Sequence, residues 1–289
     1  MPPVLVHGAI EPAVPLVISS PHSGFTWPAD SSPTASREAI LSTWDAWVDE
    51  LWGDAPAHGA TLLAATFPRA HVDVNRAEDD LDPALLAEPW PTPLAPTPYS
   101  LRGMGLIRRL SLPEVPMYAA PLSADAVAHR LVAYYRPFRV ALADALEAVQ
   151  ARFGTVWHLD CHSMKSRGNA MNVDAGAERP DIVVSDRHGS TSDPAFTRWI
   201  VPWFAARGFT VQMNDPYRGG DLVRTFGAPA SGRHSVQIEL NRACYMDEAT
   251  VARTSRFAAL RATLGEFVRE FGAHVGACTG GATSSRDVP

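Results

Sequence analysis

Four polar clusters recur along the chain where apolar runs end: Pro21-His22-Ser23-Gly24, Asp73-Val74-Asn75-Arg76, Asp160-Cys161-His162-Ser163 and Glu239-Leu240-Asn241-Arg242. Their histidines and carboxylates are the types that hold a divalent cation, and their arginines the type that holds an anion. A catalytic zinc takes three protein ligands and keeps a fourth position for water. Glu239 lies in a run that otherwise reads as a buried strand, Val236-Gln237-Ile238-Glu239-Leu240. A buried carboxylate is costly unless it is paired or working, so Glu239 is either a proton-transfer group or half of an ion pair with Arg242 or Arg76. No H-E-x-x-H or C-x-x-C occurs, so no single motif fixes the metal site. Ser23 and Ser163 lie outside any G-x-S-x-G turn, which argues against a serine nucleophile.

The elements that must position these groups follow from hydrophobic period. Val14–Ser20, Ala60–Ala65, Val156–Asp160, Asp181–Ser185, Phe209–Met213 and Ser235–Leu240 read as strands, and the alternation of Arg69–Arg76 predicts another. Residues 35–53, 123–153, 194–207 and about 250–271 carry helical spacing, and Gly154 stops the second of these. Strands alternating with helices imply an α/β fold, with helices on both faces of the sheet. In open α/β sheets ligands bind outside the carboxyl ends of the strands, where the four clusters fall. The segment 77–122, rich in proline between Asp82 and Pro98, predicts an irregular excursion that either covers the site or is a plain surface loop. One domain over 1–275 with a flexible tail at 276–289 is expected.

Composition narrows the function classes. The 289 residues are 46% hydrophobic and 19% charged, enough apolar material for a core, and the net charge of -6 argues against a nucleic-acid protein. Three cysteines, Cys161, Cys244 and Cys278, make no disulfide framework. The first residues lack the charged and apolar regions of a signal peptide, and no stretch approaches the ~20 apolar residues of a membrane span. A soluble, cytoplasmic protein without membrane or nucleic-acid partners is expected.

Five segments together, SPHSG (20–24), FPRAHVDVNR (67–76), LDCHSMKS (159–166), DPYRGGDLVRTFG (215–227) and RHSVQIELNRACYM (233–246), resemble the N-formylglutamate amidohydrolases, in the same order and through nearly the whole chain. That family is distantly similar to the zinc carboxypeptidases, so the resemblance implies a single-domain α/β fold with a mixed, mostly parallel central sheet flanked by helices. It implies one zinc ion held by His22, His162 and Asp45, the last with Asp49 as its rival one turn on. The glutamate that carboxypeptidases place three residues after the first histidine is here Phe25. Asp160 then either orients the site or shapes a turn. Glu239 matches the family's general base. Asn75 and Arg76 match a pair that binds the substrate carboxylate, and Arg218 is the candidate for the second carboxylate. Arg69 serves as either a second clamp or an oxyanion contact, and His234 either stabilises the transition state or packs.

The implied reaction is zinc-dependent hydrolysis of N-formyl-L-glutamate, a small acidic N-formyl amino acid, to L-glutamate and formate in histidine degradation. The 77–122 segment and Asp186-Arg187-His188-Gly189 depart from the usual pattern, which keeps open a deacylase of another N-formyl or N-acyl amino acid. A non-catalytic anion binder is the other class, and the joint presence of both histidines and Glu239 speaks against it.

Overall fold

The apolar runs fold, in a computed structural model that describes residues 1–8, 12–29 and 31–280, into a seven-stranded sheet in the order β1-β3-β2-β6-β9-β7-β8. Its strands are β1 (Val4–His7), β2 (Leu16–Ser20), β3 (Thr61–Ala65), β6 (Val156–Met164), β7 (Ile182–Ser185), β8 (Val211–Met213) and β9 (Arg233–Asn241), while β4 (Leu110–Leu112) and β5 (Val115–Pro116) form a separate ribbon. Within the seven-stranded sheet the β1–β3 and β7–β9 pairs are antiparallel and the other four parallel, the mixed, mostly parallel sheet expected. The helical segments are α1 (Arg37–Leu41), α2 (Val48–Leu51), α3 (Pro98–Leu101), α4 (Ala124–Arg130), α5 (Arg136–Phe153), α6 (Pro194–Ala205), α7 (Asp221–Phe226) and α8 (Phe257–Gly280).

Two cores sandwich the sheet, because strands buried on both faces need cover on both. On one side α2, α6 and α8 pack Leu51, Ile200, Phe204, Phe267 and Phe271 against Leu16, Ile18, Leu159 and Ile238. On the other, α5 presents Phe138, Leu142, Leu146 and Val149 to Val17 and Leu63. A π-helical turn, Leu131–Tyr135, joins α4 to α5, and Gly154 ends α5 with φ +77°, the left-handed conformation glycine adopts most readily.

Several expectations need correction. The segment 35–53 is not one helix: α1 and α2 are short, and Trp47 between them has φ +66°. Its apolar spacing meets the core, but the backbone turns where Asp45 N donates to His22 O at 3.3 Å. Residues 69–76 are not a strand. They form a buried irregular stretch, because β3 already has β1 and β2 as neighbours. β1 and α7 were not anticipated. The 77–122 excursion is largely irregular as expected, and Leu81, Leu85, Leu106, Ile107 and Met117 anchor it in the second core. The expected tail starts too early, since α8 continues to Gly280 and residues 281–289 lie outside the described residues. No described helix is long and apolar enough to cross a membrane.

Candidate metal centre and cleft

The site stands where β2, β6 and β9 end beside one another. His22 follows β2 in a turn that runs so close to β3 that a Cβ on Gly24 would lie 2.3 Å from the Thr66 carbonyl carbon. His162 sits in β6 directly in register with Glu239 of β9, so both side chains leave the sheet on the same face. Asp45 enters from the break between α1 and α2.

These segments bring three donor atoms together. The Nδ1 atoms of His22 and His162 are 3.0 Å apart, and Asp45 Oδ2 lies 3.4 Å from the first and 3.3 Å from the second. Each ring's other nitrogen is engaged outward: His22 Nε2 donates to Asp73 Oδ1 at 2.6 Å and His162 Nε2 to Asp160 Oδ2 at 2.9 Å. Burial pushes both outer carboxyls up, but Arg69 and His22 beside Asp73, and His162 beside Asp160, outweigh it and hold them below the usual range. An ionised carboxylate only accepts, so each Nε2 carries the proton, and with a metal ion on its inner side each ring would be neutral and aim its Nδ1 lone pair inward.

Two such lone pairs facing a carboxylate oxygen repel one another unless a cation lies among them. Donors about 2.0–2.1 Å from one tetrahedral ion stand roughly 3.3 Å from each other, which is the spacing found. The donor set therefore fits a divalent metal, and its two imidazoles suit zinc. Burial raises the Asp45 carboxyl, yet the His162 and His22 rings facing it and the Arg69 charge bring it well below the usual range. Asp49, its rival, lies in α2 outside this group, and burial pushes its carboxyl up.

Glu239 has no ion-pair partner among the described residues. Arg242 turns instead to Asp45 Oδ1 at 2.9 Å, and the Glu239 carboxylate accepts a hydrogen bond from Gln237 Nε2 at 2.9 Å. Burial pushes the Glu239 carboxyl up to about 7 against the pull of His162. That value suits a group that takes a proton and returns it near neutrality. The adjoining cleft is lined by Arg69, Arg108, Lys165, Arg179, Tyr217 and Arg242, among others.

The substrate-side candidates from the sequence fare unequally. Arg69 lines the cleft, donating to Asp73 Oδ2 at 2.6 Å and standing 3.6 Å from Asp45 Oδ1. Arg76 lies outside the cleft lining, with its Nε on Met104 O at 3.1 Å and its guanidinium 4.9 Å from the Tyr99 ring centre. Asn75 is buried and braces the centre, donating from Nδ2 to Asp160 Oδ2 at 3.1 Å and accepting from Leu222 N at 2.8 Å. Arg218 is exposed, and its carbonyl accepts from Arg187 N at 3.0 Å. The neighbouring glycines serve packing rather than a ligand, since a Cβ on Gly220 would meet Asn75 Oδ1 at 2.4 Å.

The structure does not bring His234 to the site. It pairs with Trp157 at the start of β9, stacks on that ring at 5.1 Å and accepts from Asp193 N at 3.2 Å. The five residue steps from it to Glu239 span about 16 Å of strand.

Sequence reasoning did not single out Asp73, Gln237, Arg108 or Lys165. It also passed over the chain in which Ser19 Oγ donates to Asp160 Oδ1 (2.7 Å) and His158 bridges Ser19 (2.9 Å) and Ser235 (2.8 Å). The available signal was the strict alternation of His158, Asp160 and His162 along one strand.

The sequence profile of the family described as N-formylglutamate amidohydrolase matches residues 14–246. The chain is 30% identical over 240 residues to an N-formylglutamate deformylase of Pseudomonas aeruginosa, covering 81% of this chain and 83% of that one. It superposes on the crystal structure of the N-formylglutamate amidohydrolase of Ralstonia eutropha JMP134 with a TM-score of 0.91 and 40% identity, over 96% of this chain and all of that one. A gene product of Agrobacterium tumefaciens shares the fold, with a TM-score of 0.63 at 19% identity, over 95% of this chain and 96% of that one.

Proposed function

This chain belongs to the N-formylglutamate amidohydrolase family and is a hydrolase of an amide bond, and we propose that it cleaves the formamide bond of N-formyl-L-glutamate, giving L-glutamate and formate. The observation that carries the reading is the convergence of His22 Nδ1, His162 Nδ1 and Asp45 Oδ2 on one point, within 4.8 Å of one another and beside a buried, unpaired Glu239. A zinc ion held by His22, Asp45 and His162 would supply Lewis acidity, polarising the formyl carbonyl and making water a nucleophile near neutral pH.

The protein's own groups do the rest. Glu239 takes the proton from the attacking water as its oxygen bonds to the formyl carbon. Gln237 holds the Glu239 carboxylate in place through Oε1. Arg69, fixed by Asp73 and reaching the cleft, offers a positive charge to the oxyanion of the tetrahedral state. Glu239 then passes its proton to the amide nitrogen, the C–N bond breaks, and glutamate leaves as the free amine beside formate. We infer, from family resemblance alone, that this reaction ends a route of histidine degradation.

The test is formate release from N-formyl-L-glutamate by purified protein, before and after dialysis against a chelator and again with zinc restored. The expected result is turnover that disappears with the metal and returns with zinc. Turnover untouched by removal of all divalent metal would reject the centre, and faster turnover of N-acetyl-L-glutamate would reject the formyl substrate.

A further inference from the structure

Five cations line the cleft: Arg69, Arg108, Lys165, Arg179 and Arg242. Three are neutralised by carboxylates of the protein. Arg69 is held by Asp73 at 2.6 Å, Arg179 by both oxygens of Asp174 at 2.7 and 2.8 Å, and Arg242 by Asp45 at 2.9 Å. Arg108 and Lys165 form no ion pair among the described residues. Arg108 is only 9% exposed, and its Nε has no hydrogen-bond partner.

A guanidinium taken out of water without an anion carries a large desolvation cost. Consistent with that, burial, aided by Arg69, brings the Arg108 guanidinium down to about 9. Burial, aided by Arg242, likewise brings Lys165 to about 8. The acid whose charge most favours the Lys165 ammonium is Glu248, and that carboxylate is already bonded by Ser166 N at 2.8 Å. The cleft thus keeps two positive charges that no described carboxylate pairs with directly.

We propose that Arg108 and Lys165 seat the two carboxylates of an N-acyl dicarboxylic amino acid, and that this pair selects the diacid over neutral N-formyl amino acids. The inference rests on the hydrolase reading and adds the residues that choose its substrate. The planar fork of Arg108 matches a carboxylate with two parallel hydrogen bonds, while Lys165 offers a point charge to the other. Arg108 comes from the 77–122 excursion, where Leu106 N bonds Asp80 O at 2.8 Å and Leu106 O accepts from Asp73 N at 2.7 Å. The same loop segment that carries the selecting arginine is therefore clamped to the residue that holds His22.

The experiment compares the parent, Arg108→Met, Arg108→Lys and Lys165→Met, each loaded with zinc, on N-formyl-L-glutamate and N-formyl-L-glutamine. A site built for a polar group rejects a substrate lacking it by orders of magnitude. The parent should prefer the diacid, and each Met variant should lose about 100-fold in kcat/KM on it, chiefly through KM. One Met variant should bring the diacid-to-amide ratio near unity, identifying the seat of the side-chain carboxylate. Arg108→Lys, which keeps the charge without the fork, should fall between parent and Arg108→Met. Unchanged ratios in both Met variants would overturn the proposal.

A second arm reads binding without turnover: glutarate, a diacid with the same carboxylate spacing, should raise the parent's melting temperature and not that of either Met variant. Equal stabilisation of all three would also overturn it. If the parent hydrolyses no N-formyl compound, the hydrolase reading fails, while the glutarate arm still decides the seat.

Discussion

Strands β6 and β9 present two opposite faces that are equally buried and chemically unlike. Trp157, Leu159 and Cys161 with Val236, Ile238 and Leu240 face the core built by α6 and α8. The other face carries His158, Asp160 and His162 beside Ser235, Gln237 and Glu239, none more than 8% exposed. The first face is held by area removed from water. The second stays buried only because its polar atoms find partners: Ser235, His158, Ser19, Asp160 and His162 form one hydrogen-bonded line, and Gln237 ties Glu239 to Gly220 N. A polar face under helices costs stability unless fully satisfied. Its residues are therefore where function is concentrated, and the apolar face is where stability is.

The largest effects should separate the two faces cleanly. Glu239→Gln keeps the shape and removes the proton acceptor, so kcat/KM on N-formyl-L-glutamate should fall about 1,000-fold or more, with zinc content retained. Because burial raises this carboxyl to about 7, the fold loses stability as pH rises from the ordinary value of 4.5 to about 7, and the whole cost of the buried charge is present at pH 8. The variant should accordingly melt no lower than the parent at pH 8. Leu159→Ala, one residue before Asp160 but on the opposite face, should do the reverse. It should cost about 2–5 kcal/mol in denaturant unfolding while kcat of the folded fraction is kept. Comparable loss of stability in both variants would erase the distinction between the faces.

A smaller effect probes how the polar face grips the metal. Asp73 is buried and does not line the cleft; it fixes the ring of His22 through Nε2 at 2.6 Å. Such outer partners typically contribute about 10–100-fold in metal affinity. Asp73→Asn should weaken zinc by that factor in a chelator competition, and saturating zinc should restore much of the turnover. An unaltered zinc affinity would reduce Asp73 to a salt-bridge partner of Arg69.

How much of this could be read in the sequence differs by element. The strands bearing His162 and Glu239 were legible, because alternation and an out-of-place carboxylate leave local signals. Asp45 was found by resemblance, yet its surroundings were misread as helix. The spacing of Ile40, Leu41, Trp44, Val48 and Leu51 satisfies a helical period, and nothing local shows that the backbone must break to meet His22. The alternation in Arg69–Arg76 misled for a related reason, since a buried loop pinned by side chains can mimic a strand. Arg108 and Lys165 carry no sequence signal at all. What distinguishes them from the other cleft cations is the lack of an ion pair among the described residues, and whether a near or a distant carboxylate reaches a given cation is settled only by the fold.

The smallest effect concerns the far end of the polar line, where His158 lies between Ser19 and Ser235. Ser19 donates its proton to Asp160, so it must accept from His158 Nε2, and His158 Nδ1 accepts from Ser235. That leaves the ring neutral, in keeping with burial, which lowers it to about 4. A base whose folded value is depressed stabilises the fold fully above its unfolded value, near 6.5, and loses that contribution as pH falls toward the folded value. The parent should thus lose stability relative to His158→Gln between pH 6.5 and about 4, by at most about 1.4 kcal/mol per pH unit. Taking the difference between the two proteins cancels other groups that titrate in the same window, including His71, which burial also lowers, to about 3. A flat difference across that range would mean that His158 is already protonated in the fold. The Ser235–His158 bond alone would then run the other way, with Nδ1 donating to Ser235 Oγ, and the polar face would hold a charged ring between two hydroxyls.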